Sequence, residues 1–339
     1  MAGKSGRTII AEEKFSLKKL LLRWESFLVI IFILVNIMNS SISNKYLSVP
    51  GLFNATNSFL SIAFLTLPMC FILLIGEIDI SVGAQVALSA VLLGISFNAG
   101  APMWLSVIIA LAVGVVCGFV NGFIAIKFTE LNPMIITLGT QILFRGIAEM
   151  ILEDQSTGGF TSVKWFSNLY WGKIGGVVPI MFVIFVIFAV IFGVVMHKST
   201  FGRRMYAVGS NKQAAKYSGI NVPKMRLTIY TLTGLFCGIC AVFASSQMGS
   251  ARPNVGEGYE MDAIGMCVLG GVLTDGGKGN FIGAMISVFI LGLLKYGLGL
   301  VNVSSNIMLV VKGALLIFAV MIPHLNLGRF FKKRAVKAA

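Results

Sequence analysis

Two acidic residues, Glu77 and Asp79, lie between long apolar runs in the stretch FILLIGEIDISVGAQVALSA, residues 71–90. A charged Asp at the centre of a membrane helix costs roughly 2.5–3.5 kcal/mol on insertion scales, so two embedded carboxylates would be expensive. Two arrangements reduce this cost. Either Asp79 or Ser81 caps the following helix, where negative charge meets the positive helix end, or irregular backbone lines a water-filled path that Glu77 faces. The residues alone leave both interpretations open.

The composition is that of a polytopic membrane protein. Of the 339 residues, 57% are hydrophobic and only 12% are charged, whereas soluble domains carry about 25% charged residues. Several apolar runs approach or exceed the ~20 residues that a helix needs to cross the hydrocarbon core. The sequence therefore predicts an all-α fold embedded in lipid.

About ten transmembrane helices are expected from the apolar runs between prolines, glycines and charges. The eighth run is too short to cross unaided, which indicates a broken or tilted helix. The expected spans are 25–43, 58–76, 81–97, 104–127, 133–152, 177–197, 227–247, 260–273, 281–300 and 307–323.

The basic residues predict the orientation of these spans. Short loops rich in Lys and Arg stay in the cytoplasm, and most Lys and Arg fall inside when both termini are cytoplasmic. This predicts a cytoplasmic segment at 1–24, a transmembrane domain at 25–323 with a cytoplasmic loop at 198–226, and a basic cytoplasmic tail at 324–339. Orientation thus explains the formal net charge of +14 without a nucleic-acid partner.

The chain carries no constellation expected for catalysis or metal binding. The Cys237-x-x-Cys240 pair lies in an apolar run without a second cysteine pair or a histidine nearby. The stretch GGVLTDGGKGN lacks the G-x-x-x-x-G-K-[ST] spacing of a nucleotide-binding loop and predicts a tight glycine turn. We expect no metal, no bound cofactor and no enzymatic activity, so ATP, if it drives this protein, must bind another polypeptide.

The cytoplasmic loop 198–226 contains a short predicted helix, KQAAKYS. Ser210 or Asn211 can cap its start, and Gly219 lies where a helix commonly ends. Two turns are too short to be stable alone, so other contacts must hold the helix, and its two alanines permit close approach by another surface. On the residues alone, a docking helix and a solvated basic connector are equally good interpretations.

Several stretches resemble the ribose-type ABC transporter permease family, in the order in which that family carries them. They are IGEIDISVGA, NGFIAIKFTELNPMIITLGTQILFRG, GSNKQAAKYSGINV and SSQMGSARPNVGEGYEMDAIGMCVLGGVLTDGGKGNFIGA, between residues 76 and 284. The chain departs from the family pattern at Glu77, where glycine is usual, and at Gln213, where glutamate is common.

The resemblance implies a type II ABC importer-like permease, multi-pass in the bacterial plasma (inner) membrane, that imports a small sugar such as ribose by alternating access. Autoinducer-2, rhamnose or xylose are alternative substrates. The implied partners are an ABC ATPase that binds the ATP, a second permease in a homo- or heterodimer, an extracytoplasmic sugar-binding protein and the lipid bilayer. The loop residues expected to contact the ATPase are Gln213, Ala214, Ala215, Lys216, Gly219 and Ile220.

Polar residues inside the spans are candidates for the translocation path or gate. Sugars need hydrogen-bond partners, but Thr and Gln also join helices to each other, so both roles remain open. Arg145 and Glu149, four residues apart on one helix face, could pair. An ion-coupled secondary transporter, using Asp79 or this pair for protons, is the alternative class of function. The path or gate candidates are Glu77, Asp79, Ser81, Gln85, Asn121, Thr137, Thr140, Gln141 and Arg145.

The predicted outer loops carry two further sets of candidates. Three acids before the short span predict either a surface for the binding protein or a helix cap: Glu257, Glu260 and Asp262. The aromatic residues of the longest outer loop predict either an anchor at the membrane interface or a docking surface for an external protein: Trp165, Phe166, Tyr170 and Trp171.

Overall fold

The computed structural model describes residues 24–317 except residues 154, 305, 309, 312, 315 and 316. The predicted tail 324–339 and nearly all of the predicted N-terminal segment 1–24 lie outside the described residues. The described part is mostly α-helical, and the all-α prediction is confirmed.

The helices follow one another with short connections. They are α1 (Trp24–Ile42), α2 (Val49–Leu74), α3 (Val82–Asn98), α4 (Met103–Lys127), α5 (Pro133–Leu152), α6 (Lys164–Trp171), α7 (Ile180–Lys198), α8 (Thr200–Ser210), α9 (Lys212–Tyr217), α10 (Val222–Met248), α11 (Tyr259–Leu269) and α12 (Phe281–Leu300). A 3-10 turn at Phe160–Ser162 precedes α6, and a two-stranded antiparallel sheet of β1 (Lys173–Ile174) and β2 (Val178–Pro179) follows it.

Seven of the described helices are long and apolar enough to cross a membrane: α1, α2, α4, α5, α7, α10 and α12. Helix α3 is apolar but has only 17 residues, and α11 has 11. The tenth expected span, 307–323, is only partly described. The protein is therefore a multi-pass membrane protein, while the number of ten spans and the location of both termini stay predictions.

Two boundaries differ clearly from the prediction. Helix α2 begins at Val49 instead of residue 58, because Ser48 caps its first turn, where Pro50 is also tolerated. Helix α10 begins at Val222 instead of residue 227, capped by Asn221. Asn54 and Asn57 interrupt the apolar run near the start of α2, and Lys224 and Arg226 do so in α10, so a search for apolar runs begins both helices too late.

Helix α2 forms the centre of the bundle. Its side chains are buried almost continuously from Phe59 onward, and it packs against α7, α10, α11 and α12. The Phe64 ring stacks on Phe243 of α10 with centroids 4.9 Å apart. By contrast α1, α5 and α7 expose large apolar side chains such as Ile142, which is 70% exposed, and these faces suit contact with lipid.

Helices α4 and α10 make the most extensive contact in the bundle. Glycines line the crossing from both sides, and a Cβ atom built at Gly114 would overlap the carbonyl oxygen of Gly234, and conversely. Gly118 and Gly238 lie on the same seam. Such small residues let helix backbones touch, which is the usual way of packing helices in membranes.

All five cysteines are buried and unpaired. Cys237 and Cys240 pack inside α10, in agreement with their expected packing role, and the sulfur atoms of Cys70 and Cys267 lie 3.5 Å apart between α2 and α11.

Candidate functional site

The segment that carries the two opening acids, residues 75–81, is a non-helical turn between α2 and α3. Asp79 is wholly buried and accepts hydrogen bonds from the Ser81 backbone amide at 2.9 Å and the Ser81 hydroxyl at 2.6 Å. Ser81 occupies the N-cap position of α3, but its side chain makes no capping bond. The carboxylate of Asp79 therefore lies at the start of α3, as one of the two interpretations expected.

A buried polar network extends from this carboxylate. The Gln85 amide donates to the Ser81 hydroxyl oxygen at 2.8 Å, and the Asn121 amide of α4 donates to the same oxygen at 2.7 Å. Gln85 and Asn121 are both fully buried, and their own amide oxygens have no hydrogen-bond partner among the described residues. The network thus joins the turn to α3 and α4 and leaves two acceptors open.

Helix α5 holds the same turn through Thr137. The Thr137 hydroxyl oxygen accepts from the Ile80 amide at 3.2 Å and lies 3.2 Å from the Ile78 carbonyl oxygen, to which it can donate. Thr140 bonds back to the carbonyl of Thr137 at 3.2 Å. The structure therefore brings Asp79, Ser81, Gln85, Asn121 and Thr137 together, whereas Gln141 is half-buried on α5 outside this network.

Glu77 lies at the centre of an ion cluster instead of facing an open channel. Its side chain has no exposed surface, and its Oε1 atom lies 2.7 Å from Lys212 Nζ and 2.6 Å from Arg226 Nε. Lys212 is the first residue of α9 and Arg226 lies in the first turns of α10. We call Glu77, Lys212 and Arg226 the ion cluster. It connects the 75–81 turn to the predicted cytoplasmic loop.

The predicted cytoplasmic loop is largely helical. Asn211 caps α9 by accepting from the Gln213 and Ala214 amides, both at 2.9 Å, and Gly219 adopts a φ of 81° just after the helix. These features match the prediction for KQAAKYS. Helix α8, which precedes it, was not predicted.

Three of the six candidate coupling residues form an exposed surface on α9, and Gly219, just after the helix, is also exposed. Gln213, Ala214 and Lys216 are exposed, Ala215 is buried against the protein and Ile220 is half-buried. Tyr217, which the sequence analysis did not select, is 84% exposed. An exposed aromatic residue beside small and polar ones is a surface suited to a protein partner.

Helix α8 and the glycine turn at residues 273–279 support this region. The Gly277 amide donates to the Leu74 carbonyl at 2.8 Å, and the Tyr206 hydroxyl donates to the Gly279 carbonyl at 2.8 Å. Gly209 approaches both Leu74 and Gly277 so closely that a Cβ atom would overlap them. The stretch GGVLTDGGKGN thus forms the tight turn that its glycines predict.

The connection between α10 and α11, residues 249–258, descends into the bundle instead of staying in an outer loop. At one end Ala251 pairs with Thr157 as an antiparallel bridge beside Gly94. At the other end Gly256 packs against Gly83, the second residue of α3. Eleven residues of helix separate Gly83 from Gly94, which is about 16 Å at 1.5 Å per residue. We call residues 249–258 the re-entrant segment, and it explains why α11 is short.

Arg145 holds the re-entrant segment and does not pair with Glu149. Its Nη1 atom donates to the carbonyl oxygens of Pro253 and of Val255, the latter at 2.9 Å. Glu149 is exposed on α5. The possible Arg145–Glu149 pair is therefore not formed, because Arg145 instead supplies donors to the carbonyls of a non-helical segment inside the bundle.

Replacing Arg145 with methionine should loosen the re-entrant segment. Hydrogen bonds to a charged group contribute about 1.5–3 kcal/mol each, so amide hydrogen exchange in residues 249–258 is expected to become roughly tenfold faster or more. Arg252→Met is the matched control because Arg252 is exposed. Equal exchange in the Arg145 variant and the wild type would contradict this role.

The three acids expected to face a binding protein lie in different environments. Glu260 is buried against Gly83, so it offers no free surface to an external partner in this conformation. Glu257 is exposed, and Asp262 Oδ2 lies 3.9 Å from Lys295 Nζ of α12. Their role in docking stays a prediction.

A cavity of about 350 Å³ opens beside these acids, between α2, α11 and α12. Its lining is mostly apolar, with Phe59 on one side and Leu291 on another, and Glu257, Asp262 and Lys295 contribute the charged groups. This volume suits a small ligand.

The aromatic residues of helix α6 are of two kinds: Phe166 and Tyr170 fit neither interpretation because they pack inside the protein, and only Trp165 and Trp171 are open to an interfacial or a docking role. Phe166 and Tyr170 are buried against the bundle, while Trp165 is 48% and Trp171 61% exposed. The Ser246 hydroxyl of α10 donates to the Phe166 carbonyl at 2.6 Å. Helix α6 is therefore anchored to α10 and presents two tryptophans outward.

Sequence reasoning missed the partners of Glu77. A buried charge is usually paired with an opposite charge, but the loop offers many Lys and Arg residues, and nothing in their spacing singles out Lys212 and Arg226. Tyr217 could have been found from the sequence, because an aromatic residue on a short polar helix indicates a surface for a protein partner.

Comparison with known proteins gives a consistent result. Residues 51–320 match the model of a family described as the branched-chain amino acid transport system permease component. The chain is 32% identical over 315 residues to the autoinducer 2 import system permease protein LsrD of Klebsiella pneumoniae, covering 92% of this chain and 94% of the relative. It is 33% identical over 310 residues to the LsrD protein of Escherichia coli strain K12, covering 90% and 93%. No solved structure matches the chain.

Proposed function

The chain belongs to the family of branched-chain amino acid transport system permease components, which includes sugar and autoinducer-2 permeases of ABC importers. We therefore propose that it is the membrane-spanning subunit for import of autoinducer 2 or a ribose-like sugar. Its relatives are transport subunits. The observation that carries the substrate proposal is the similarity to autoinducer 2 import system permeases over nine-tenths of both chains. Rhamnose and xylose remain alternatives within the same mechanism.

Helix α9 is the proposed contact for the ATPase that binds the ATP. Its support is geometric, since Gln213, Ala214, Lys216 and Tyr217 face outward on a capped helix. The helix lies beside α8, whose end is fixed against the 273–279 turn, so a displacement of α9 can reach the bundle. A second permease in a homo- or heterodimer and an extracytoplasmic sugar-binding protein complete the proposed assembly in the bacterial plasma membrane.

The proposed route for the substrate uses two regions. The cavity beside α11 is large enough for a monosaccharide and carries Glu257, Asp262 and Lys295 as polar contacts. The network around Asp79 is the proposed gate, because the open amide oxygens of Gln85 and Asn121 can accept from hydroxyl groups of a sugar or from water once helices separate.

Uptake by the reconstituted transporter tests this function. The permease, its cognate ATPase and its binding protein are placed in vesicles, and import of labelled autoinducer 2 and of labelled ribose is measured with and without ATP. We expect ATP-dependent import that requires the ATPase. Import driven by a proton gradient without the ATPase would instead establish an ion-coupled secondary transporter.

A further inference from the structure

We propose that Glu77 is the positioning residue that ties helix α9 to the 75–81 turn, so that movement of α9 is delivered to the proposed gate through the Glu77–Lys212 ion pair. The inference rests on the proposed function, since it assigns to one contact the transmission that an ATP-driven importer needs. It concerns a contact that the sequence did not reveal.

The two ion pairs of Glu77 have different environments. Arg226 is 10% exposed at its side chain and lies 2.6 Å from Glu77, whose side chain has no exposed surface. Lys212 is 43% exposed and lies 2.7 Å from the same carboxylate oxygen. Because Arg226 also pairs with the buried carboxylate, Glu77 still has a cationic partner when the Lys212 pair is broken.

The Lys212 pair therefore adds a connection that can be broken without leaving a buried charge unpaired. Removing one member of a fully buried pair strands the other charge, which is strongly destabilising. Breaking the half-exposed pair lets Lys212 return to water and leaves Glu77 with Arg226. This asymmetry fits a contact that changes during a transport cycle.

The position of Glu77 gives the contact a direct route to the gate. Ile78 and Ile80, on either side of Asp79, are both held by the Thr137 hydroxyl of α5. Asp79 is joined through Ser81 to Asn121 of α4. A pull on Glu77 thus acts within four residues on the contacts that Ile78 and Ile80 make to α5 and Ser81 makes to α4.

The backbone around Glu77 is fixed in place by packing and by a hydrogen bond. Gly76 adopts a φ of 71° and packs against Gly276 of the 273–279 turn. The Glu77 amide donates to the Ile72 carbonyl at 3.1 Å, so the turn is fixed to the end of α2. Because Gly76 and Glu77 are held to α2 and to the 273–279 turn, a displacement of Glu77 by α9 would act on the following residues, 78–81.

Lys212→Met tests the proposal, with Lys212→Arg as the rescue variant and Lys224→Met as the matched control. Lys224 is exposed at the start of α10. Among the described residues, the ion pairs of Glu77 are with Lys212 and Arg226 and not with Lys224. The transporter complex is reconstituted, and the substrate imported per ATP hydrolysed is measured for whichever of labelled ribose or autoinducer 2 the wild type imports.

We expect the complex with Lys212→Met to hydrolyse ATP in response to the binding protein as the wild type does. The number of substrate molecules imported per ATP hydrolysed should fall about tenfold, which is within the range typical of coupling between sites. Lys212→Arg should restore the ratio, Lys224→Met should equal the wild type, and Glu77→Gln with Lys212→Met should be no worse than Glu77→Gln alone. An unchanged ratio in Lys212→Met, or a parallel loss of hydrolysis, import and membrane abundance, would overturn the proposal.

A second measurement separates this inference from the proposed function because it needs no transport. Amide hydrogen exchange of the purified permease is compared between the wild type, Lys212→Met and Lys224→Met. We expect residues 75–81 and 212–217 to exchange faster together in Lys212→Met only. If both segments keep their protection, the mechanical connection is absent even where the wild type imports its substrate.

Discussion

Replacing Ala214 with arginine is expected to abolish uptake while the chain still inserts into the membrane. Ala214 is exposed on α9, so a long charged side chain meets no obstacle in the permease itself, but it would hold a partner surface several ångströms away. The measurement is ATP-dependent uptake together with the amount of permease in the membrane fraction. Gly219→Pro should have the same effect, because proline cannot adopt the φ of 81° found there.

Thr200→Arg is the control for this substitution. Thr200 is exposed at the start of α8, and it belongs to the same predicted cytoplasmic loop but not to α9. It should import at the wild-type rate. Wild-type transport in both Ala214→Arg and Gly219→Pro would remove α9 from the mechanism.

Gly234→Leu should have the largest effect on stability. A Cβ atom at this position would overlap the Gly114 carbonyl oxygen and approach Gly118 on α4, so a leucine must force α4 and α10 apart. Overpacking typically costs about 1–3 kcal/mol, and backbone contact on both sides places this change at the upper end. We expect a lower thermal unfolding midpoint in detergent and reduced membrane abundance.

Gly146→Leu provides the comparison. Gly146 is also a helical glycine in a membrane-spanning helix, but apart from the backbone of its own helix no described atom lies within 4 Å of a Cβ built there. Its midpoint should match the wild type. Equal midpoints for Gly234→Leu and Gly146→Leu would show that α4 and α10 are not packed as the structure has them.

Much of the helical architecture follows from the sequence because membrane helices are apolar runs ended by recognisable residues. Pro133, after the capping Asn132, starts α5 at the predicted residue, and Asn280 caps α12 at the predicted start. The prediction fails where polar residues interrupt the apolar run just after the helix start, as Asn54 does in α2 and Lys224 in α10, because a hydropathy search then begins the helix after them.

The re-entrant segment could not be predicted from hydropathy. Residues 249–258 are polar and glycine-rich, which is equally typical of an outer loop. Tertiary contacts, among them those of Arg145 with the Pro253 and Val255 carbonyls and that of the Thr157 amide with the Ala251 carbonyl, supply donors that let such backbone lie inside the bundle. The short length of α11 was visible in the sequence, but its cause was not.

The candidate site was predictable in part for a related reason. Asp79, Ser81, Gln85 and Asn121 were chosen as polar residues in apolar runs, and the structure places them in one network. The interaction of Glu77 with Lys212 joins positions 135 apart in sequence. Such a pairing depends on how helices assemble, which a single sequence does not encode in any local pattern.

The burial of all five cysteines has a consequence for how this protein can be probed. Thiols shielded in this way react slowly with water-soluble maleimides or spin labels. A cysteine placed on α9 or on α6 would therefore carry a reporter at one known position on an otherwise unreactive chain, without removal of the native residues that fill the spaces between helices.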